Sequence, residues 1–437
     1  MGLIQNQSAS EGTPFAKNAV MFVALVVFID MMGVSIIIPV MPDLITSLTG
    51  ISVSEAAGVG GYLFSAYAVM QLVFAPIMGA LSDRFGRRPV LLFALSGLVV
   101  DYLIMAMAPT LIWLFVGRIL AGIMGATWPV ANACVADVSN REDRAGYFGM
   151  IAGAAGVGFV FGPVLGGSLA ILGPRAPFYA AALLTLIASG IGLFLMPETL
   201  RSENRRSFDW RRANPIGGLL KIGQHKSVLG ILSAMFLMQF AWTSFSVVWP
   251  YFTIEAFKWG ELEIGISVAL YGLLIAIVQG GLTGPVTKRF GNVPVCIFAL
   301  VLGIATYAVY AGLMVGWVAY LMILISAPTA FAGPIMQTLM TERVEDDQQG
   351  ELQGVIASVM GINAIIAPFV MAQVFRRFTG EDAAIYLPGA PFAVSAMLIV
   401  LCLIVFLIAT RSDLRRPLSS GDQELGEGAR FRRDESL

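Results

Sequence analysis

Charge is scarce in this chain of 437 residues: Asp, Glu, Lys and Arg together make up 13%, against about 25% in an ordinary soluble domain. That is too little to coat a soluble globule of this length. Histidine is almost missing, and His225 stands alone in a basic loop, where a solvated side chain is expected rather than a proton relay. The three cysteines, Cys134, Cys296 and Cys402, lie far apart inside apolar runs. Neither metal-ligand spacing nor a disulfide framework is visible, so packing is their expected role. There is no Gly-x-x-x-x-Gly-Lys-[Ser/Thr] loop, which argues against an ATP-driven pump. No nucleophile–base pair or metal constellation is evident, so neither an enzyme nor a bound cofactor is expected. A nucleic-acid partner is not expected either. The first 16 residues lack the basic start of a secretory signal, so the first apolar run reads as a retained helix.

What the chain has instead is apolar length. Residues of the apolar classes make up 57%, and runs long enough to cross a bilayer recur from residue 18 to residue 410. A spanning helix needs about 20 such residues. Twelve spans are expected: 18–40, 59–80, 89–108, 111–137, 146–171, 176–196, 228–253, 263–286, 293–314, 316–341, 350–375 and 389–410. They divide into a tail 1–17, a first six-helix bundle 18–197, a linker 198–227, a second bundle 228–410 and a disordered tail 411–437. The linker is rich in Arg, Asn and Ser and carries Trp210, with room for one amphipathic surface helix.

The two bundles are copies. Gly79-Ala80-Leu81-Ser82-Asp83-Arg84-Phe85-Gly86-Arg87-Arg88-Pro89 recurs as Gly284-Pro285-Val286-Thr287-Lys288-Arg289-Phe290-Gly291-Asn292-Val293-Pro294, an offset of 205 residues. The register continues through Val90 and Phe93-Ala94-Leu95 into Val295 and Phe298-Ala299-Leu300, and Pro163 and Pro368 keep the same offset. A parallel internal repeat of this kind is a transporter signature.

Basic residues set the expected orientation. Lys17, Arg84, Arg87, Arg88, Arg141, Arg144, the run Arg201 to Lys226, Lys288, Arg289, Arg343 and the tail from Arg411 gather on one face. Only Arg175, Lys258, Arg376 and Arg377 fall on the other. The positive-inside rule then makes both termini cytoplasmic.

Three ionisable residues lie deep in apolar runs: Asp30, Asp101 and Arg118. Asp30 is 12 residues into the first span and Asp101 is 12 past Pro89, which puts each roughly 18 Å from the cytoplasmic face. A charge at that depth costs about 2.5–3.5 kcal/mol on insertion scales, so it faces a protein partner or water. Two readings stand: an Asp–Arg pair knitting helices together, or a carboxyl, Asp30 or Asp101, that alternately binds a proton and a substrate. The second half has no acid at such depth. Its polar candidates are Gln239, Thr243, Gln279, Gln337, Asn363 and Gln373, with Trp242, Phe245, Trp249 and Tyr310 as aromatics. They suit either a cavity for an apolar, hydrogen-bonding ligand or ordinary packing.

Two further features are candidates for movement. The fifth span carries Gly158, Gly162, Pro163, Gly166 and Gly167, a spacing that serves close packing or a sliding helix. The charged turn (Gly79, Asp83, Arg84, Gly86, Arg87, Arg88) is expected to gate, with Asp83 and Arg87 engaging Asp137 and Arg144 to latch the halves in one state.

With these residues the chain resembles the major facilitator superfamily, and within it the tetracycline-efflux branch of drug:proton antiporters. Asp30-Met31-Met32-Gly33 with Pro39 and Pro42 is similar to the helix 1 signature, Gly79 to Pro89 to the turn between helices 2 and 3, and Asp101-Tyr102-Leu103 to the helix 3 motif. Gly117-Arg118, Gly122, Gly125-Ala126-Thr127 and Val135-Ala136-Asp137 resemble helix 4. The Gly-Pro run 158–167 resembles the antiporter motif, Pro197-Glu198-Thr199 the end of helix 6, and Gly350 to Gly354 the start of helix 11. The resemblance implies an all-α membrane fold of twelve helices in two six-helix repeats, alternating access and proton-driven export. It gives Asp30, Asp101 and Arg118 coupling or cavity roles, and Asp83 and Arg87 a gating role. At three points the sequence departs from that branch: the eighth span has no histidine, the ninth has no acid, and Trp128-Pro129 is bulky.

The expected function is therefore proton-coupled export of a small amphipathic or aromatic compound by a monomer in a bacterial inner membrane. Its partners are the substrate, protons and the lipid bilayer, with no metal. The alternative on the same scaffold is an importer of a planar heteroaromatic nutrient or vitamin, riboflavin-like in kind.

Overall fold

The computed structural model describes residues 14–140, 143–206, 226–345 and 348–411. The amphipathic helix expected in the linker lies outside the described residues, as do both expected tails except for 14–17, which are helical, and 411. Among the described residues, twelve helices have the length and apolar composition to cross a membrane. They are α1 (Asn18–Ile36), α2 (Val53–Phe85), α3 (Arg87–Met107), α4 (Leu111–Val138), α5 (Gly146–Leu172), α6 (Ala176–Leu195), α7 (Val228–Phe257), α8 (Glu261–Phe290), α9 (Asn292–Gly312), α10 (Gly316–Thr341), α11 (Gln349–Thr379) and α12 (Ala390–Ala409). A backbone in hydrocarbon must satisfy its own hydrogen bonds, which is why these runs are helical over nearly all their length. α2 begins six residues earlier than expected, because Ser52 and Glu55 form a capping box that starts it.

The repeat seen in the sequence is also a repeat of irregularities. The charged turn is a single left-handed residue, Gly86 (φ 105°), and its counterpart between α8 and α9 is Gly291 (φ 84°). A side chain at either would be strained, so the glycines are what allow two long helices to meet with no loop. α1 gives way at 37–40, beside Pro39, and resumes as a short helix Met41–Thr49. In α7 the corresponding region holds a π turn, Ser244–Val248, next to Pro250. α4 breaks at 125–127, before Pro129, and α10 passes through a 3-10 turn, Ala327–Phe331, containing Pro328. Each proline removes a backbone donor and loosens the helix there.

The halves are joined along two seams. On α2 and α11, the Ser54 hydroxyl donates to the Arg376 carbonyl (3.3 Å) and receives from Thr379 (2.7 Å), while Ser65 donates to the Ile365 carbonyl (2.7 Å). On α5 and α8, Gly265 lies against the Pro163 carbonyl and Gly167 against the Glu261 carbonyl, so close that neither glycine has room for a Cβ. All these contacts fall toward the end of the molecule opposite the charged turn. Toward the turn, Gly149, Gly153 and Gly156 of α5, Gly280 and Gly284 of α8 and Gly354 of α11 meet nothing within 4 Å. The two bundles are therefore sealed at one end and part at the basic end.

Candidate functional site

Asp30, Asp101 and Arg118 are 3%, 0% and 7% exposed, and they gather where α1, α3 and α4 meet. Arg118 Nη2 lies 3.4 Å from Asp101 Oδ2, so the Asp–Arg pair open in the sequence exists for Asp101. Asp30 is outside it. Its Oδ2 accepts from the Thr127 hydroxyl (3.1 Å), and among the described residues no Lys or Arg lies within ion-pair distance of it. Thr127 is free to turn toward Asp30 because it stands in the α4 break.

The glycines of α4 make this packing possible. A Cβ on Gly117 would strike Asp101 Oδ1, and one on Gly125 would close on the Tyr67 hydroxyl and on Asp30 Oδ1. On α1, Gly33 yields its side-chain space to the hydroxyl of Tyr102. The site is not fully satisfied. Asp101 Oδ1 and Arg118 Nε are buried with no hydrogen-bond partner among the described residues, a condition that costs roughly 1–3 kcal/mol or more for charged groups.

Two side chains from α2, both missed in the sequence, complete the wall. The Tyr67 ring lies with its centroid 5.9 Å from Arg118 Cζ, within cation–π range. Gln71 Nε2 donates to the Tyr67 hydroxyl (3.0 Å) and to the Gly125 carbonyl in the α4 break (3.4 Å). The available signal was a Tyr and a Gln spaced by four in a span, hence stacked on one helix face.

The second half repeats one of these contacts. Gln279, in the π turn of α8, donates to the carbonyl of Ala330 (3.4 Å), and Ala330 is the residue 205 positions after Gly125. The other expected cavity residues divide. Asn363 is 1% exposed and donates to the Phe236 carbonyl (2.9 Å), which ties α11 to α7. Gln337 is not at mid-depth: it lies four residues from the end of α10, is exposed, and donates to Gln353 (3.3 Å). Trp249 is fully buried, donates to Ser267 (2.9 Å) and stacks on Phe245 at 4.4 Å, so it is core. Tyr310 meets it edge-on at 5.5 Å. Gln239 and Trp242 are half-buried on α7, and Gln373 lines a cleft of about 580 Å³ between the halves at the sealed end.

The charged turn is tied down inside the first half. Arg87 Nη1 meets Asp83 Oδ1 (2.5 Å) and Ser82 Oγ (2.6 Å), and Arg87 Nε meets Asp137 Oδ2 (3.0 Å). Glu198, just past α6, accepts from the Arg87 backbone amide (2.8 Å) and so caps α3. Two of the expected engagements, Arg87 with Asp83 and with Asp137, are therefore present, both within the first half, whereas Arg144 donates to Ser139 and the Ala136 carbonyl. Arg88 reaches the Leu193 carbonyl (2.6 Å), while Arg84 lies over the ring of its neighbour Phe85. The α5 glycines serve two purposes. Gly158, Gly162 and Gly166 are pressed on the α1 backbone, whereas Gly167 belongs to the seam with α8.

A family model for the Major Facilitator Superfamily matches residues 23–368 and, separately, 231–434. The tetracycline resistance protein, class C, of Escherichia coli is 36% identical over 388 residues, covering 89% of this chain and 96% of that protein. The class B protein of the same organism is 32% identical, covering 81% and 88%. Multidrug resistance protein 2 of Bacillus subtilis (strain 168) is 27% identical, covering 78% and 85%. Among solved structures, a bacterial homolog of the human lysosomal transporter Spinster, in an inward-facing and occupied conformation, aligns with a TM-score of 0.75 at 16% identity. That alignment covers 94% of this chain and 100% of that one, and it speaks for the fold.

Proposed function

The chain belongs to the Major Facilitator Superfamily, and on that premise we propose that it expels a small amphipathic or aromatic compound from the cell in exchange for protons. The observation that carries this reading is Asp30: a carboxyl 3% exposed, deep in a spanning helix, with a threonine hydroxyl as partner and no basic group at ion-pair distance among the described residues. Such a group is costly in a membrane and earns its place by changing charge. A proton moved on it across the membrane is worth about 2.3 kcal/mol per 100 mV, which is the energy an exporter needs.

By the positive-inside reading the basic end is cytoplasmic. The structure then corresponds to a state open to the cytoplasm and sealed outside, the state in which an exporter loads. The relatives named for tetracycline and multidrug resistance support a drug-like cargo. An α8 without histidine and an α9 without an acid point to a compound other than the tetracyclines themselves. The protein acts as a monomer in a bacterial inner membrane, with both termini inside.

Expression in a drug-sensitive bacterium tests the reading against a panel of lipophilic compounds. Resistance to at least one should rise, and Asp30→Asn should return it to background. Unchanged sensitivity across the panel, with rescue of a nutrient auxotroph, would overturn export in favour of uptake.

A further inference from the structure

We propose that Tyr67 is a positioning residue: its ring holds Arg118 against Asp101 and screens that pair from the cleft between the halves. The proposal gives the transport reading above a physical gate, since proton exchange between the pair and cleft water then waits on displacement of the ring. It rests on that reading for its purpose but not for its test.

The geometry comes first. Asp30, Asp101 and Arg118 are all at least nine-tenths buried, whereas Tyr67 is partly exposed. It sits on α2 between Ser65, which binds the Ile365 carbonyl, and Leu72, which packs on Gly361. The α2–α11 seam runs past this level on a neighbouring face of α2. The ring lies over Arg118 and leaves part of the Tyr67 side chain exposed, while the pair beneath it is buried.

Tyr67 is also locked in place. α2 runs directly against α4, where Gly122 meets the backbone carbonyl of Tyr67 and the side chain of Met70. The hydroxyl is held by Gln71, which is itself anchored on the Gly125 carbonyl. The phenolic hydrogen has no acceptor among the described residues, so the hydroxyl keeps a free donor beside Asp30. The titratable groups facing the ring are Asp30 from α1, Asp101 and Tyr102 from α3, and Arg118 from α4. Behind the ring, Asp101 Oδ1 and Arg118 Nε stand unpartnered. Water reaching them would find a donor and an acceptor waiting, and the aromatic ring is what keeps it away.

An aromatic or amphipathic molecule entering the cleft meets Tyr67 before any carboxyl. Rotating the ring removes the cation–π contact, opens the pair to water and lets a carboxyl exchange its proton with the solvent. No covalent step is involved.

The test is carboxyl labelling of the full-length protein in everted vesicles. The probes are a water-soluble carbodiimide and glycine methyl ester, and modification of Asp101 is followed by peptide mass spectrometry. Tyr67→Leu should label Asp101 at least about tenfold faster than the parent, the order expected from losing a desolvated cation–π contact. Tyr67→Phe and Tyr67→Trp, which keep a ring, should label at the parent rate. Retention of the slow rate by those two variants separates screening from a general folding defect. A parent-like rate in Tyr67→Leu overturns the proposal, as does equal acceleration in Tyr67→Phe. Labelling requires no transported compound, so its outcome is independent of whether the protein exports.

Discussion

The two halves of this protein are the same structure holding different chemistry. Both have a left-handed glycine between their second and third helices, a weakened first helix and a broken fourth helix. In both, a glutamine amide from the second helix of the half reaches the carbonyl at that break, Gly125 in one and Ala330 in the other. Around Gly125 stand Asp30, Thr127, Tyr67 and the Arg118–Asp101 pair. The α7, α9 and α12 region of the second half holds instead Phe245, Trp249, Tyr307, Tyr310 and Phe392, ring against ring. The fold thus needs the breaks and the glutamines, but not the charges. On the proposed reading, the charged interior of the first half couples protons and the aromatic interior of the second is left to shape itself to the cargo.

The comparison predicts unequal costs. Removing Arg118 should do the most damage, since Arg118→Leu leaves Asp101 buried beside a vanished partner. Breaking a buried pair in this way costs roughly 3–5 kcal/mol, to be read as lower thermal stability in detergent. Adding Asp101→Asn to that variant should restore most of it. A pair kept for structure alone would also be stabilised by the double change, but transport would survive only if the pair has no coupling role. The glutamines come next. Gln71→Ala frees the Gly125 carbonyl and the Tyr67 hydroxyl together, whereas Gln279→Ala frees one carbonyl. Gln71 is half-buried and Gln279 exposed, so Gln71→Ala, with two partners left unpaired, should cost about 1–3 kcal/mol and Gln279→Ala clearly less. Gln71→Ala alone should also shift the pH profile of transport. Identical profiles in the two would mean that the glutamines are structural staples and nothing more.

Much of this was legible before any coordinates. The 205-residue offset follows from the repeated turn, and the spans and the buried Asp30, Asp101 and Arg118 from hydropathy, since an ionised residue inside a long apolar run is conspicuous against it. Neutral residues left no such mark. Tyr67, Gln71 and Thr127 are unremarked in a hydropathy profile, and their importance comes from helix rotation and from the α4 break, which only the packing reveals. The same blindness misplaced Gln337 at mid-depth, because a residue near the end of a long helix is indistinguishable by composition from one at its middle. Trp249 reads as a cavity aromatic until its indole is seen bonded to Ser267 in a closed cluster. Of the expected latch, Arg87 does engage Asp83 and Asp137, while Arg144 bonds to Ser139 and Ala136 instead. All four residues belong to the first half, so spacing along the chain could name the partners but not a contact between the halves.

The smallest expected effect concerns the sealed end. Asp43, on the short helix that follows α1, is half-buried beside Glu261 at the start of α8, and no Lys or Arg lies within ion-pair distance of it among the described residues. Burial, and then the Glu261 carboxyl, push Asp43 up to about 7. When the halves part, Glu261 leaves with the second half and Asp43 should fall back toward the ordinary carboxylate value of about 4. The sealed form therefore binds the proton more tightly. Its extra stability is present below the lowered value and is lost as pH rises through about 7. Spin labels at Thr49→Cys and Asp382→Cys, read by electron paramagnetic resonance between about pH 5 and pH 8, should report the two ends drawing apart as pH rises. Asp43→Asn should flatten that dependence while leaving the helices and the seam glycines as they are. If the asparagine variant keeps the parent's pH response, the sealed end takes no part in sensing protons. The titrating chemistry would then lie wholly in the first half's interior, and the division of labour between the halves would be complete.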